Sequence, residues 1–286
     1  MRRRAQLLAA GLVLGAVFSV QSGGALATTL FDEVGPLGAV FLRSLFGAAV
    51  LAAIWRPTLA TPRPKLRLAG LFGLSLAGMN LCFYLALDRL PLGIAVTFEF
   101  SGPLAVALLG SRRAPDLLWA GLAALGILLL SGGFGGSDLD PLGVAFALAA
   151  GAFWAAYILL GARVGRAFGG GIGLAIAMIV STAVLFAPGL AGGGAELLSL
   201  GVLATGAGVA MLSSVVPYSL ELEALRRLPA HVFGVLMSLE PAVAALIGFI
   251  ALDQGLVASE VLAIGCVVLA GAGALRSAPT PPRIEA

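Results

Sequence analysis

The chain has 286 residues, of which 60% are hydrophobic and 11% charged, with a formal net charge of +3. That charged share is less than half of what a soluble domain carries, and the mean hydropathy of +1.06 agrees, so the composition excludes a soluble globular protein. The long Leu, Ala and Gly runs, with 40 glycines in all, fit closely packed membrane helices and not the short alternating strands of a barrel. A pI near 9.3 invites a nucleic-acid partner, but the placement of the cations argues against one.

The apolar pattern predicts ten spans in chain order, at roughly 5–28, 36–55, 67–87, 91–110, 116–132, 141–161, 171–190, 199–222, 229–251 and 259–275. Short connections rich in Pro, Gly or charge separate them, such as Asp32-Glu-Val-Gly-Pro36 and Asp88-Arg-Leu-Pro91. With the N-terminus in the cytoplasm, the inner side receives Arg2, Arg3, Arg4, Arg56, Arg63, Lys65, Arg67, Arg112, Arg113, Arg163, Arg166, Arg226, Arg227, Arg276 and Arg283, which is fifteen of the 17 cations. Arg89, in an outer loop, and Arg43, inside the second span, are the exceptions. Asp32, Glu33, Asp88, Asp138, Asp140, Glu196 and Asp253 fall outside. This segregation predicts a multi-pass membrane protein with both termini cytoplasmic. The first segment, three arginines, an apolar stretch and Ala25-Leu-Ala27, also fits a cleaved signal peptide; its length and its place in a five-helix half favour a retained span.

The chain repeats internally. Ala86-Leu-Asp-Arg-Leu-Pro91 matches Ala224-Leu-Arg-Arg-Leu-Pro229, and at the same offset Pro103 matches Pro241 and Gly110 matches Gly248. Five spans per half is an odd number, so the halves insert in opposite senses, a plan that secondary transporters use with a binding site near the midplane. The expected fold is therefore an all-α integral membrane protein of two inverted five-helix repeats, 1–135 and 136–276, followed by a cytoplasmic tail, 277–286.

Two carboxylates lie deep in this apolar frame. Glu99 stands in Gly93-Ile-Ala-Val-Thr-Phe-Glu-Phe-Ser-Gly-Pro103, and Glu240 in Val232-Phe-Gly-Val-Leu-Met-Ser-Leu-Glu-Pro241. An acid inside hydrocarbon is costly and marks a bundle interior or wet cavity. At 1.5 Å per residue they sit roughly 12 and 16 Å along their helices from Pro91 and Pro229, starting from opposite faces. An acid that holds either a proton or a substrate ammonium would couple the two flows; the plain alternative is a pair of protonated packing devices.

The segments Gly78-Met-Asn-Leu-Cys-Phe-Tyr84, Pro91-Leu-Gly-Ile-Ala-Val-Thr-Phe-Glu-Phe-Ser-Gly-Pro-Leu-Ala-Val-Ala-Leu108 and Pro217-Tyr-Ser-Leu-Glu-Leu-Glu-Ala-Leu-Arg-Arg-Leu-Pro229 resemble the EamA-type branch of the drug/metabolite transporter superfamily. Ser238-Leu-Glu-Pro-Ala242 and Gln21-Ser-Gly-Gly-Ala25 look most like the threonine/homoserine exporters of the bacterial inner membrane. The resemblance runs from about Gln21 to the tenth span. It implies ten helices, a central cavity between two halves, and proton-coupled export of small neutral amino acids. One departure is Leu252-Asp-Gln254, where many relatives carry Leu-Gly-Glu.

Around the two glutamates, the candidate substrate- and proton-handling groups are Arg43, Asn80, Tyr84, Trp154, Tyr157, Tyr218 and Gln21. Arg43 could grip a substrate carboxylate, or pair with Glu99, Asp32 or Glu33, or snorkel to the outer headgroups; the structural readings are favoured. Asn80 and Tyr84, four apart, and Trp154 and Tyr157, three apart, each share a helix face; Trp154 could equally belong to an interfacial belt. Pro103 and Pro241 interrupt their helices and can free carbonyls beside the acids, or serve shape alone. Glu221 and Glu223 stand near the cytoplasmic end of their span; Glu223 is expected to pair with Arg227 at i,i+4, with substrate capture at the inner mouth as the lesser alternative. Cys82 and Cys266 are expected to be free, buried thiols without a disulfide, and a single histidine offers no metal cluster. No cofactor is expected. His-Glu-x-x-His, Ser/His pairs and a Walker loop are absent from the sequence, which argues against a membrane enzyme and against ATP as the driving force. The expected partners are a small-molecule substrate, protons and the lipid bilayer. The alternatives are the same fold carrying another polar metabolite or a drug, and a receptor or assembly subunit without flux.

Overall fold

The computed structural model describes residues 2–58, 61–90, 92–110, 114–130, 140–251 and 258–277. The described residues form helices and no strands. The expectations for Arg112, Arg113, Asp138, Leu252-Asp-Gln254 and the tail from residue 278 lie outside them.

The helices are α1 (Arg2–Thr28), α2 (Phe31–Trp55), α3 (Arg63–Leu87), α4 (Leu92–Glu99), α5 (Ser101–Gly110), α6 (Ala114–Leu130), α7 (Pro141–Ala167) and α8 (Ile172–Gly193). A 3-10 turn, Gly194–Leu198, leads to α9 (Leu200–Ala210), which runs through a π-helical turn, Met211–Val215, into α10 (Val216–Arg227). Then come α11 (Ala230–Leu236), a 3-10 turn (Met237–Leu239), α12 (Glu240–Ala251) and α13 (Ala258–Ser277). Seven stretches of the described residues are long and apolar enough to cross a membrane: Leu8–Thr28, Phe31–Trp55, Arg63–Leu87, Pro141–Ala167, Ile172–Leu198, Leu200–Arg227 and Val232–Ala251. Ile94–Val106 and Val261–Ala270 are shorter apolar helices.

Local chemistry sets the helix ends and breaks. Asp140 caps α7 by accepting from the amides of Leu142 (2.8 Å) and Gly143 (3.4 Å), with Pro141 as the first helical residue. Arg56 closes α2 in the left-handed conformation ahead of Pro57. α2 begins five residues earlier than the pattern predicts, at Phe31 and not at residue 36. Its first turn is joined to the rest through a kink at Gly35 (φ 63°, ψ 173°). Pro36 excludes its predecessor from helical geometry, and glycine alone takes this backbone freely.

α2 lies along α8, α3 along α7, α1 along α9 and α10, and α6 along α13, while α4–α5 and α11–α12 pack inside against α7, α1 and each other. Large apolar side chains such as Leu71, Leu118, Leu159, Phe186, Ile250 and Leu269 face outward. A water-soluble protein would gather such residues inside, and a bilayer solvates them. The two polar ends of α7 carry the ion pairs. At its N-terminus Arg89 meets Asp140 at 2.8 Å, and the guanidinium hydrogen bond with the Leu142 amide holds the Asp140 carboxyl below the usual carboxylate range. At its C-terminus Arg226 donates to the carbonyls of Gly165, Phe168 and Gly170, and Glu223 holds both Arg226 and, as expected at i,i+4, Arg227. The 27 residues of α7 separate these ends by about 40 Å, the thickness of a bilayer with its headgroups.

Candidate functional site

Halfway along α7, thirteen residues from Pro141, Trp154 faces a buried polar cavity. Val20, Gln21 and Gly24 of α1 line it, with Arg43 of α2, Met79, Asn80 and Phe83 of α3, Glu99 of α4, Tyr218 and Glu221 of α10, and Glu240 of α12. It measures about 40 Å³, room for roughly three waters.

The three carboxyls are all buried. Glu99 is 8% exposed, Glu221 3% and Glu240 6%, and none faces the outer apolar surface. Two of them rest on helix breaks made by proline. Pro103 has no amide for the Glu99 carbonyl, four residues back, and α4 gives way to α5 at Phe100. Pro241 likewise offers nothing to Met237, and the three residues before Glu240 tighten into a 3-10 turn. Glu240 Oε1 accepts from Gln21 Nε2 at 3.1 Å, and its Oε2 has no partner. Glu221 Oε2 accepts from the Tyr157 hydroxyl at 2.8 Å. α5 is held against α7 by two glycines: a Cβ on Gly102 would lie 1.9 Å from the Gly151 carbonyl oxygen, and one on Gly151 2.6 Å from that of Glu99.

Arg43 does not snorkel and forms no ion pair among the described residues; it is 3% exposed. The expected pairing with Glu99, Asp32 or Glu33 is replaced by bonds to α9 and α10. Nε donates to Ser214 Oγ (2.8 Å), and Nη2 to the Ser213 carbonyl (2.5 Å) and the Tyr218 hydroxyl (2.7 Å). The guanidinium lies over the rings of Tyr84 and Tyr218, 5.7 and 5.6 Å from their centroids. The Ser213 carbonyl is available because the residue four ahead is Pro217, which has no N–H. The adjacent Leu212 carbonyl, in the same π-turn, accepts from Ser19 Oγ of α1 at 2.6 Å.

The structure thus brings Gln21, Arg43, Asn80, Glu99, Trp154, Tyr218 and Glu240 to one cavity. Trp154 is 5% exposed and packs edge-to-face on Phe100, which rules out the interfacial belt for it. Tyr84 and Tyr157 do not line the cavity. Tyr84 backs Arg43, and Tyr157 backs Glu221, with its ring stacked on Phe72 at 5.0 Å. Pro103 and Pro241 are buried and act through the breaks they make. Sequence reasoning grouped Glu221 with the charged end of α10, giving it at most a capturing role at the inner mouth, and did not place it in the cavity. The signal was its spacing: Glu221 is three residues after Tyr218, on the same face, whereas Glu223 faces away.

Apolar helices enclosing a polar cavity halfway between two charged ends define a multi-pass membrane protein with its working groups inside the bundle. Residues 141–275 match the EamA-like transporter family. The threonine/homoserine exporter RhtA of Salmonella typhimurium (strain SL1344) is 44% identical over 277 residues, 96% of this chain and 93% of that protein. The threonine/homoserine exporter RhtA of Escherichia coli (strain K12) is 44% identical over 264 residues, 92% of this chain and 89% of that one. The chain belongs to the EamA-like transporter family, and it is a transporter and not an enzyme. A solved crystal structure with 21% identity aligns at a TM-score of 0.76 over 97% of this chain and 98% of its own, and so shares the fold.

Proposed function

We propose that this protein exports small neutral amino acids of the threonine and homoserine kind from the bacterial cytoplasm, with protons as the coupling ion. The observation that carries the reading is the charge set of the cavity: three buried carboxyls and one arginine, with tyrosine, asparagine and glutamine between them. A zwitterion needs both signs within one small space, and this cavity supplies both. The 44% identity to proteins named as threonine/homoserine exporters supports the substrate. Glu240 and Glu99 receive the substrate ammonium or a proton in turn, Gln21 orients Glu240, and Arg43 takes the carboxylate. Tyr84 and Tyr157 hold Arg43 and Glu221 in position, and Trp154 walls the site.

The frame is ten spans in two inverted halves, 1–135 and 136–276, with a cytoplasmic tail, 277–286, and both termini on the cytoplasmic side of the inner membrane. Matching packing between the halves supports it: α3 of the first on α7 of the second has its counterpart in α9–α10 of the second on α1 of the first, and α2–α8 and α6–α13 join like to like. The Asn80–Tyr218 hydrogen bond, 3.0 Å long, joins residues 138 apart. That is the offset at which Ala86 matches Ala224 and Pro103 matches Pro241, so the two residues are repeat equivalents meeting where the halves meet. A cavity with room for roughly three waters has less space than an amino acid fills, so loading it requires the halves to rock apart.

The test is efflux from cells and uptake into proteoliposomes under an imposed pH gradient, with a panel of labelled amino acids. Glu240→Gln is expected to abolish threonine and homoserine efflux while the protein still inserts at the wild-type level. Unchanged efflux discards the role of Glu240, and a wild type indifferent to both amino acids discards the substrate.

A further inference from the structure

The hydrogen bonds around Tyr218 have a fixed direction. Arg43 Nη2 meets the Tyr218 hydroxyl at 2.7 Å, and a guanidinium only donates. The phenol oxygen is therefore the acceptor in that bond. The single hydroxyl proton is left for the other neighbour, Asn80 Oδ1, at 3.0 Å. This settles which way the Asn80 amide points: its oxygen faces Tyr218 and its NH₂ faces away. Asn80 is 2% exposed and lines the cavity, and its Nδ2 has no hydrogen-bond partner. Arg43 spends Nε and Nη2 on Ser214, Ser213 and Tyr218, and the same guanidinium lines the cavity. A buried donor without a partner is costly, and Asn80 Nδ2 stands as one in this cavity, on the helix next to that of Arg43.

The acceptors come from other helices. Glu99, Glu221 and Glu240 belong to α4, α10 and α12, and Glu240 Oε2 is itself without a donor. The cavity is thus polarised, with donors from α2 and α3 and unused acceptor capacity from α4 and α12. We propose that the Arg43 guanidinium and Asn80 Nδ2 together form the receptor for the substrate carboxylate, and that Tyr218 is the positioning residue that aims the Asn80 amide. The inference rests on the export reading above and deepens it by fixing which end of the amino acid goes where. The carboxylate lies toward α2 and α3, and the ammonium toward Glu99 and Glu240. A neutral amide beside the arginine adds a second donor for a planar two-oxygen group without adding a second positive charge. The ligand class is then α-amino acids with a free carboxylate, and amino alcohols of the same shape are refused.

The experiment measures binding of L-threonine and of L-threoninol, which has a hydroxymethyl group in place of the carboxylate, to the purified full-length protein in lipid nanodiscs. Wild type is expected to prefer threonine by about a hundredfold, as expected for two charge-assisted bonds. Asn80→Leu, and separately Tyr218→Phe, which removes only the hydroxyl, are expected to lower threonine affinity about tenfold and leave threoninol affinity unchanged. Equal losses for both ligands in both variants, or a wild type that holds threoninol as tightly as threonine, overturn the carboxylate receptor while leaving the exporter reading intact. A wild type that binds neither threonine nor homoserine overturns both.

Discussion

Replacing Pro217 by alanine tests the link between backbone and site most sharply. Pro217 leaves the Ser213 carbonyl, four residues back, without an amide partner, and Arg43 Nη2 occupies that carbonyl at 2.5 Å. Pro217→Ala restores an N–H aimed along the helix axis at Leu212 and Ser213, whose carbonyls now serve Ser19 of α1 and Arg43 of α2. The local helix gains, because alanine is the better helix former by up to about 3 kcal/mol. Arg43 loses a charge-assisted bond of about 1.5–3 kcal/mol and with it a fixed orientation. Stability and function should therefore move in opposite directions. In detergent the unfolding temperature stays level or rises, while counterflow of labelled threonine in proteoliposomes falls about tenfold or more, the rate equivalent of the lower bond energy. Counterflow at the wild-type rate would refute the claim that the freed carbonyl positions Arg43. A fall in unfolding temperature would refute the claim that Pro217 is retained for the site at the expense of the helix.

Gly102→Ala sets a Cβ 1.9 Å from the Gly151 carbonyl oxygen and 2.7 Å from its carbon. Backbone cannot swing aside as a side chain can, so thermal unfolding should show a loss of about 1–3 kcal/mol or more, together with loss of transport. Gly11→Ala, where nothing lies within 4 Å, is the control and should be neutral or slightly stabilising. The Arg89–Asp140 pair lowers the folded pKa of Asp140, so its small contribution is complete above the ordinary aspartate value, about 3.9, and disappears as pH falls through the lower folded value. The stability difference between wild type and Arg89→Ala, followed by thermal melts across pH, should stay constant from neutral to mildly acid pH and close only at strongly acid pH. Glu221→Gln keeps an acceptor for Tyr157 but removes one of the three cavity acids; uptake driven by a pH gradient should drop at least about tenfold while exchange of labelled for unlabelled threonine persists, and full gradient-driven uptake would remove Glu221 from the coupling machinery.

The parts of the fold legible in the sequence were those set by local pattern. Apolar length placed the long helices, and proline near Glu99 and Glu240 placed the breaks, since a missing amide acts on the residue four back whatever surrounds it. The start of α2 was misjudged because Asp32 and Glu33 look like loop residues, although acids suit the first turn of a helix. Arg43 was legible as an anomaly and illegible in its partners. The groups that hold it lie 170 to 175 residues away, and one of them is a main-chain carbonyl, which has no letter in a sequence. Tyr84 and Tyr157 share helix faces with Asn80 and Trp154, yet they sit one layer behind them, where the Tyr84 ring lies under the Arg43 guanidinium and the Tyr157 hydroxyl donates to Glu221.

Each cavity acid stands within four residues of a proline: Pro103 follows Glu99 by four, Pro241 follows Glu240 by one, and Pro217 precedes Glu221 by four. The coincidence has a physical reason. A carboxyl buried in a continuous helix sees main-chain dipoles already committed to one another, and any group that answers it must be another side chain. Where proline breaks the ladder, a carbonyl is released and the helix end can turn. At Pro217 the released carbonyl fixes the cation that balances the acids. At Pro103 the break lets α5 approach α7 closely enough for Gly151 to press against the Glu99 carbonyl. At Pro241 the tightened turn presents Glu240 to Gln21 of α1. The interruptions that weaken these helices as helices are what allow charge inside them, and they lie where two oppositely inserted halves would have to move against each other.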